Sequence, residues 1–118
     1  MSGGRDIHVL VVDDSAVIRQ ALAQILGHAG FGVDTAADPL IGLAKMRRRR
    51  PDVILLDLEM PRMDGLTFLR RLMGEQPVPV VVLSSHAERG TETALEALEE
   101  GAIEVLAKPP VGIREFLD

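Results

Sequence analysis

Four short runs of apolar residues divide the chain into regular units. The runs cover residues 9–12, 53–56, 80–83 and 105–107, and none of them alternates between apolar and polar positions. A strand with one solvent-facing side alternates, whereas an unbroken run of Val, Ile and Leu is typical of a strand covered on both faces. The pattern therefore predicts the buried strands of a parallel sheet with helices on both sides.

Helical spacing fills the intervals between these runs. Ile18, Leu22 and Ile25 recur every three or four residues after the first run, and Leu66 and Leu69 do so after the second. The other predicted elements are a short strand over residues 33–36, a helix that begins near Pro39, a helix over residues 91–100 and a last helix that starts near Ile113. No repeat or linker interrupts this alternation, so we expect one domain over residues 1–118, with its last helix truncated at Asp118.

A polar side chain follows each apolar run where the predicted strand ends. Asp13 and Asp14 follow the first run, Asp57 the second, Ser84 the third and Lys108 the fourth. The carboxyl ends of parallel strands lie along one edge of a sheet, and that edge is where open α/β sheets bind ligands. Three carboxylates, a hydroxyl and an ammonium group at one edge predict a site for a divalent cation and a phosphate.

Simpler roles compete with this interpretation. Asp14 or Ser15 could instead cap the helix that opens at Ala16, and Ser84 could simply satisfy a turn. Asp57 has the sharper pattern, because a carboxylate directly after four apolar residues has no role in solubility. It is predicted to bind the metal and to act as a nucleophile that forms an acyl phosphate, while Lys108 neutralises the phosphoryl oxygens.

Composition narrows the setting of such a site. The chain has 118 residues, no cysteine and a net charge of −5. The charge disfavours nucleic-acid binding despite the arginines at positions 47–50, which are expected to be a solvated helix end. No apolar stretch approaches the roughly 20 residues needed to span a bilayer, and the polar start lacks a secretion signal. We therefore expect a cytoplasmic protein that binds neither nucleic acid nor membrane.

The order and spacing of these residues resemble the receiver domains of two-component response regulators. The matching elements are Asp13-Asp14, Asp57 with the segment up to Gly65, Ser84, and Lys108-Pro109. The resemblance implies a flavodoxin-like doubly wound fold, a five-stranded parallel sheet in the order 2-1-3-4-5. It implies that Asp57 accepts a phosphoryl group from a sensor kinase phosphohistidine in a Mg²⁺-dependent reaction. By the same resemblance Asp13, Asp14, Asp57 and the main-chain carbonyl of Glu59 hold the metal, Ser84 and Lys108 contact the phosphoryl group, and the Lys108-Pro109 bond is cis.

Residues 60–69 and 83–95 are similar to a narrower group, the receivers of chemotaxis protein-glutamate methylesterases. That similarity implies a chemotaxis-type sensor histidine kinase as phosphoryl donor and a methylesterase domain, or another downstream protein, as the regulated partner. The nucleophile pattern Gly-x-Ser-x-Gly does not occur here, so no methylesterase site is expected in these residues. The chain is then either the regulatory part of such a protein or a free-standing receiver.

Three other function classes stay open at this point. A magnesium-dependent aspartyl phosphatase could use similar residues, and a pseudo-receiver would fold without being phosphorylated. A flavin or nucleotide carrier would need a glycine- or hydroxyl-rich loop where Asp13 and Asp14 stand. Val105 occupies the position of the aromatic switch residue of many receivers, which leaves Ser84 and the loop after it to transmit the signal, and His86 would lie near the mouth of the site.

Overall fold

The predicted alternation of strands and helices is confirmed. The computed structural model describes residues 6–60, 64–84 and 92–108. The elements are β1 (His8–Val12), α1 (Ala16–His28), β2 (Gly32–Ala36), α2 (Pro39–Arg48), β3 (Val53–Asp57), α3 (Gly65–Glu75), β4 (Val80–Ser84), α4 (Glu92–Glu99) and β5 (Glu104–Ala107). The predicted helix from Ile113, His86 and the Lys108-Pro109 bond lie outside the described residues.

The five described strands form one parallel sheet in the order β2-β1-β3-β4-β5. The fold is therefore the doubly wound receiver-type architecture that the resemblance implied. The register aligns Asp57 with Leu83 and Ser84 with Ala107, so β3, β4 and β5 end at nearly the same level. Because β1 lies beside β3, the ends of these strands form one continuous edge, and the predicted site residues meet there.

Helices cover the sheet from both sides and produce two apolar cores. On one face, residues of α2, α3 and α4 pack on the strands, with Phe68, Leu69 and Leu72 almost completely buried. On the other face, Ile18 and Leu22 of α1 pack on Val9, Val11 and Leu83. Cover on both faces explains why the central strands lack alternation.

The edge strand β5 departs from this pattern. It pairs only with β4 among the described strands. Leu106 is 48% exposed, while Val105 packs against the larger core. The prediction that the run at 105–107 is buried on both faces is therefore wrong within the described part of the chain. Side chains of a strand point to the two faces of the sheet, so their burial depends on which helices pack there, and an apolar run does not reveal this.

Two local features bring helices close to the strand ends. The Ser15 hydroxyl caps α1 by accepting from the N–H of Ile18, and Asp64 caps α3 by accepting from the N–H of Leu66. Gly65 opens α3 against the backbone that follows β3, where an added Cβ would lie 2.6 Å from the Leu58 Cα. Only a residue without a side chain allows that approach.

The described helices are all short. The longest, α1, has 13 residues, whereas a helix that crosses a bilayer needs about 20. None of the described helices is therefore long and apolar enough to span a membrane.

Candidate functional site

Three carboxylates meet at the carboxyl edge of the sheet. Asp13 follows β1 and Asp57 ends β3; both are fully buried, while Asp14 is exposed. One carboxylate oxygen from each of the three residues lies within 4.8 Å of the others. The structure thus brings together the acidic residues that the sequence predicted as metal ligands.

Hydrogen bonds in the loop between β1 and α1 fix the Asp13 carboxylate. The Asp13 N–H donates to the carbonyl of Ala36 at 3.0 Å, and Asp13 Oδ1 accepts from the N–H of Ser15 at 2.9 Å. Arg19 donates from its guanidinium to the Asp13 carbonyl at 2.7 Å. Ser15 caps α1, so the prediction that Asp14 could cap this helix is wrong. The Asp14 carboxylate belongs to the acidic cluster instead.

Asp57 has one satisfied and one unsatisfied oxygen. Its Oδ1 accepts from the Lys108 ammonium at 2.8 Å and from the N–H of Glu59 at 2.9 Å. Its Oδ2, like Oδ2 of Asp13, is buried and accepts no hydrogen bond from the described residues. Buried oxygens of this kind are costly unless something binds them, and hard divalent cations prefer carboxylate oxygens. The donor set therefore fits a magnesium-type ion.

Ser84 and Lys108 complete the site, and the Glu59 side chain links them. The Ser84 hydroxyl donates to Glu59 Oε2 at 2.9 Å, and Lys108 Nζ lies 3.2 Å from Glu59 Oε1. Every predicted site residue is therefore found in one place. The sequence considerations used only the main-chain carbonyl of Glu59 and overlooked its side chain and Arg19. The signal that could have revealed the role of the Glu59 side chain is its carboxylate, two residues after Asp57.

Burial controls the electrostatics of the site. Loss of solvent, assisted by the nearby Asp13 charge, raises the pKa of Asp57 to about 6 despite the hydrogen bonds from Lys108 and Glu59. Burial likewise raises the pKa of Asp13. Burial alone would lower the pKa of Lys108, but its contacts with Asp57 and Glu59 raise it on balance. The site therefore holds a permanent cation beside carboxylates that are costly to ionise.

Fold and site together define a doubly wound domain with a buried carboxylate at a strand end, flanked by acids, a hydroxyl and an ammonium group. The family model of the response regulator receiver domain matches residues 9–117. The chain belongs to the response regulator receiver domain family.

Similar proteins narrow the type of receiver. The chain is 63% identical over 110 residues to protein-glutamate methylesterase/protein-glutamine glutaminase 1 of Anaeromyxobacter dehalogenans (strain 2CP-C), a match that covers 93% of this chain and 32% of that protein. Protein-glutamate methylesterase/protein-glutamine glutaminase 2 of Chromobacterium violaceum is 53% identical over 114 residues, a match that covers 95% of this chain and 32% of that protein. This chain thus spans about a third of the curated relatives' length.

A solved structure agrees with these relatives. The response regulator domain of Thermotoga maritima CheB superimposes with a TM-score of 0.83 and 36% identity, over 96% of this chain and 92% of that one. The Vibrio cholerae chemotaxis protein CheY4 superimposes with a TM-score of 0.81 and 34% identity, over 96% of this chain and 94% of that one. The chain is a receiver of the kind found in chemotaxis methylesterases.

Proposed function

We propose that this receiver is a phosphorylation-dependent switch of a chemotaxis pathway, with Asp57 as the phosphoacceptor. The observation that supports this most strongly is the position of Asp57. Its carboxylate is buried at a strand end beside Asp13, with one oxygen bound to Lys108 and the other without a hydrogen-bond partner among the described residues. A buried carboxylate in that setting favours binding of a cation and an electrophilic phosphorus over a purely structural role.

Asp13, Asp14, Asp57 and the Glu59 main-chain carbonyl would hold Mg²⁺. Support comes from the buried Oδ2 atoms of Asp13 and Asp57, which accept no hydrogen bond within the described part of the chain, and from the proximity of the three carboxylates. When bound, the ion would offset the charge of the acidic cluster and coordinate an oxygen of the phosphoryl group. The Asp13 loop is already fixed by Ser15 and Arg19, so little rearrangement of the chain is needed to bind the ion.

The reaction itself is a displacement at phosphorus. A carboxylate oxygen of Asp57 attacks the phosphorus of a kinase phosphohistidine, the new O–P bond forms as the P–N bond breaks, and the imidazole leaves with the electron pair of the broken bond. Lys108 stabilises the phosphoryl oxygens as a fixed positive charge, and the Ser84 hydroxyl donates a hydrogen bond to one of them. Asp57 becomes an acyl phosphate.

The biological consequence is regulation of a methylesterase. The relatives named protein-glutamate methylesterase/protein-glutamine glutaminase are about three times as long as this chain. We therefore infer that the receiver controls an attached methylesterase domain, in a cytoplasmic chemotaxis pathway with a sensor histidine kinase. In a protein that joins this chain to such a domain, acetyl phosphate should raise methylesterase activity, and the Asp57→Asn substitution should abolish the increase.

The phosphoacceptor role is tested by intact mass after incubation with acetyl phosphate. We expect one phosphoryl group to be added in the presence of Mg²⁺, none after Mg²⁺ is removed by chelation, and none in the Asp57→Asn variant. Asp38→Asn is the matched control, because Asn caps α2 about as well as Asp does and the variant should be modified normally. Modification of the Asp57→Asn variant to the wild-type extent would refute the proposal, and so would wild-type protein that binds Mg²⁺ but accepts no phosphoryl group from either acetyl phosphate or a phosphorylated kinase.

A further inference from the structure

The Glu59 carboxylate contacts both groups to which the proposed function assigns the phosphoryl oxygens, the Ser84 hydroxyl and the Lys108 ammonium. Its Oε2 accepts from the Ser84 hydroxyl at 2.9 Å, and its Oε1 lies 3.2 Å from Lys108 Nζ. Its own N–H donates to Asp57 Oδ1 at 2.9 Å, which ties this residue to the phosphoacceptor. One side chain thus spans the hydroxyl and the ammonium group with two anionic oxygens.

Competition follows from the number of protons that each donor has. A serine hydroxyl has a single proton to donate, and in this structure that proton is directed at Glu59. Lys108 has three, and it already contacts Asp57 and Glu59. Ser84 therefore cannot donate to a phosphoryl oxygen while it donates to Glu59, and the negative charge of Glu59 repels an incoming phosphoryl group.

We propose that Glu59 is a built-in substitute for the phosphoryl group, a positioning residue that holds Ser84 and Lys108 in place until Asp57 is phosphorylated. This inference rests on the proposed function. Phosphorylation must move the Glu59 carboxylate away, and its side chain can leave because 35% of its surface is exposed, in contrast to the buried Ser84. Glu59 thereby sets the affinity of the site for a phosphoryl group and weakens it relative to an unobstructed site.

The test is a titration with beryllofluoride, a stable phosphoryl mimic, at saturating Mg²⁺, followed through the amide NMR signals of Asp57 and Lys108. Glu59→Gln removes the charge and weakens both contacts, and we expect it to bind beryllofluoride on the order of tenfold more tightly, the factor that corresponds to about 1.4 kcal/mol. Glu75→Gln, at the far end of α3, removes the same charge away from the site and should bind like the wild type.

Glu59→Asp separates occupation of the donors from charge alone. It keeps the charge but is one methylene shorter and cannot reach Ser84 and Lys108 together, so it should also bind beryllofluoride more tightly than the wild type. Wild-type affinity in both Glu59 variants would overturn the inference, as would a gain in Glu59→Gln without any gain in Glu59→Asp. Wild-type protein that binds Mg²⁺ but no beryllofluoride would instead refute the proposed function, and the inference with it.

Discussion

The chain contains two lysines, and each forms an ion pair with an aspartate, yet the two pairs behave oppositely. Lys45 lies 3.0 Å from Asp34, and Lys108 lies 2.8 Å from Asp57. Partial burial alone would raise the pKa of Asp34, but the hydrogen bonds from Lys45 and Thr35 lower it below its ordinary value. The pKa of Asp57 is instead raised to about 6.

Solvent access explains the difference. The Asp34 side chain is 43% exposed, whereas that of Asp57 is 0% exposed and stands beside a second buried acid, Asp13. A lysine at hydrogen-bonding distance stabilises a hydrated carboxylate, but it does not fully offset the removal of water from a buried one. The outer pair therefore stabilises an ionised carboxylate, while the inner pair contains a buried carboxylate that is costly to ionise, as the proposed role of Asp57 requires.

Replacing each lysine should show the largest difference between the two ion pairs, in the free energy of unfolding. Lys108→Met leaves Asp57 buried without its cation and should lower the free energy of unfolding by about 3 kcal/mol at pH 8. Lys45→Met disrupts a partly exposed pair and should cost less than about 1 kcal/mol. Urea unfolding of the metal-free proteins measures both values. Equal losses would mean that burial does not distinguish the two pairs.

The pH dependence of stability should carry opposite signs for the two aspartates. The folded-state pKa of Asp57 lies above the unfolded value of about 3.9, so its contribution is fully present below about pH 4 and is lost as the pH rises through about 6. The loss is on the order of 3 kcal/mol. Asp34, with a lowered pKa, stabilises the fold above its unfolded pKa and loses that effect as the pH falls through its folded pKa.

Urea unfolding between pH 4 and 8, without metal, tests the sign for Asp57, with Asp34 as the control because its own contribution changes only below this range. The Asp57→Asn variant should gain stability relative to the wild type as the pH rises, while the Asp34→Asn variant should keep the wild-type decline over this range. A constant difference between Asp57→Asn and the wild type would show that the pKa of Asp57 is not raised.

Displacing the backbone that positions Asp57 should have a smaller effect. In Gly65→Ala the new Cβ would lie 2.8 Å from the Asp57 carbonyl as well as against Leu58, so α3 must shift, at a cost of about 2 kcal/mol. Gly74→Ala is the control in the same helix, because a Cβ added there would meet nothing within 4 Å. This substitution should stabilise the protein by about 0.5–1 kcal/mol, since Ala is preferred over Gly inside a helix. A Gly65→Ala protein as stable as the wild type would contradict the close approach.

The smallest effect is expected at the outer pair. Asp34→Asn keeps the hydrogen-bonding shape, so it should change stability by less than about 1 kcal/mol and leave modification by acetyl phosphate unaltered. Loss of modification in this variant, measured by intact mass, would mean that the two pairs are not independent.

The sequence predicted the architecture and the site well because both depend on position along the chain. Unbroken apolar runs predicted four of the five described strands, and a polar residue at the end of each run predicted that Asp13, Asp57, Ser84 and Lys108 would meet at one edge. Strand order came from family resemblance, since local patterns do not determine which strands become neighbours.

Other features depend on tertiary contacts that spacing does not show. Ile25 shares its helical spacing with Ile18 and Leu22 but is mostly exposed, because periodicity does not give the width of the stripe that the sheet covers. The bridge from Glu59 to Ser84 spans 25 positions of sequence. It requires the actual alignment of β3 with β4. The opposite behaviour of Asp34 and Asp57 depends instead on how far the fold buries each side chain, which spacing does not show either.

The most direct test of this difference is a carboxyl ¹³C NMR titration of Asp34 and Asp57 in the metal-free protein, repeated with Mg²⁺. We expect Asp57 to titrate near pH 6 and Asp34 below its ordinary value, and Mg²⁺ to shift the signal of Asp57 while that of Asp34 stays unchanged. Two normal or lowered midpoints, or an Asp57 signal that does not respond to Mg²⁺, would contradict the claim that burial makes Asp57 the reactive carboxylate of this receiver.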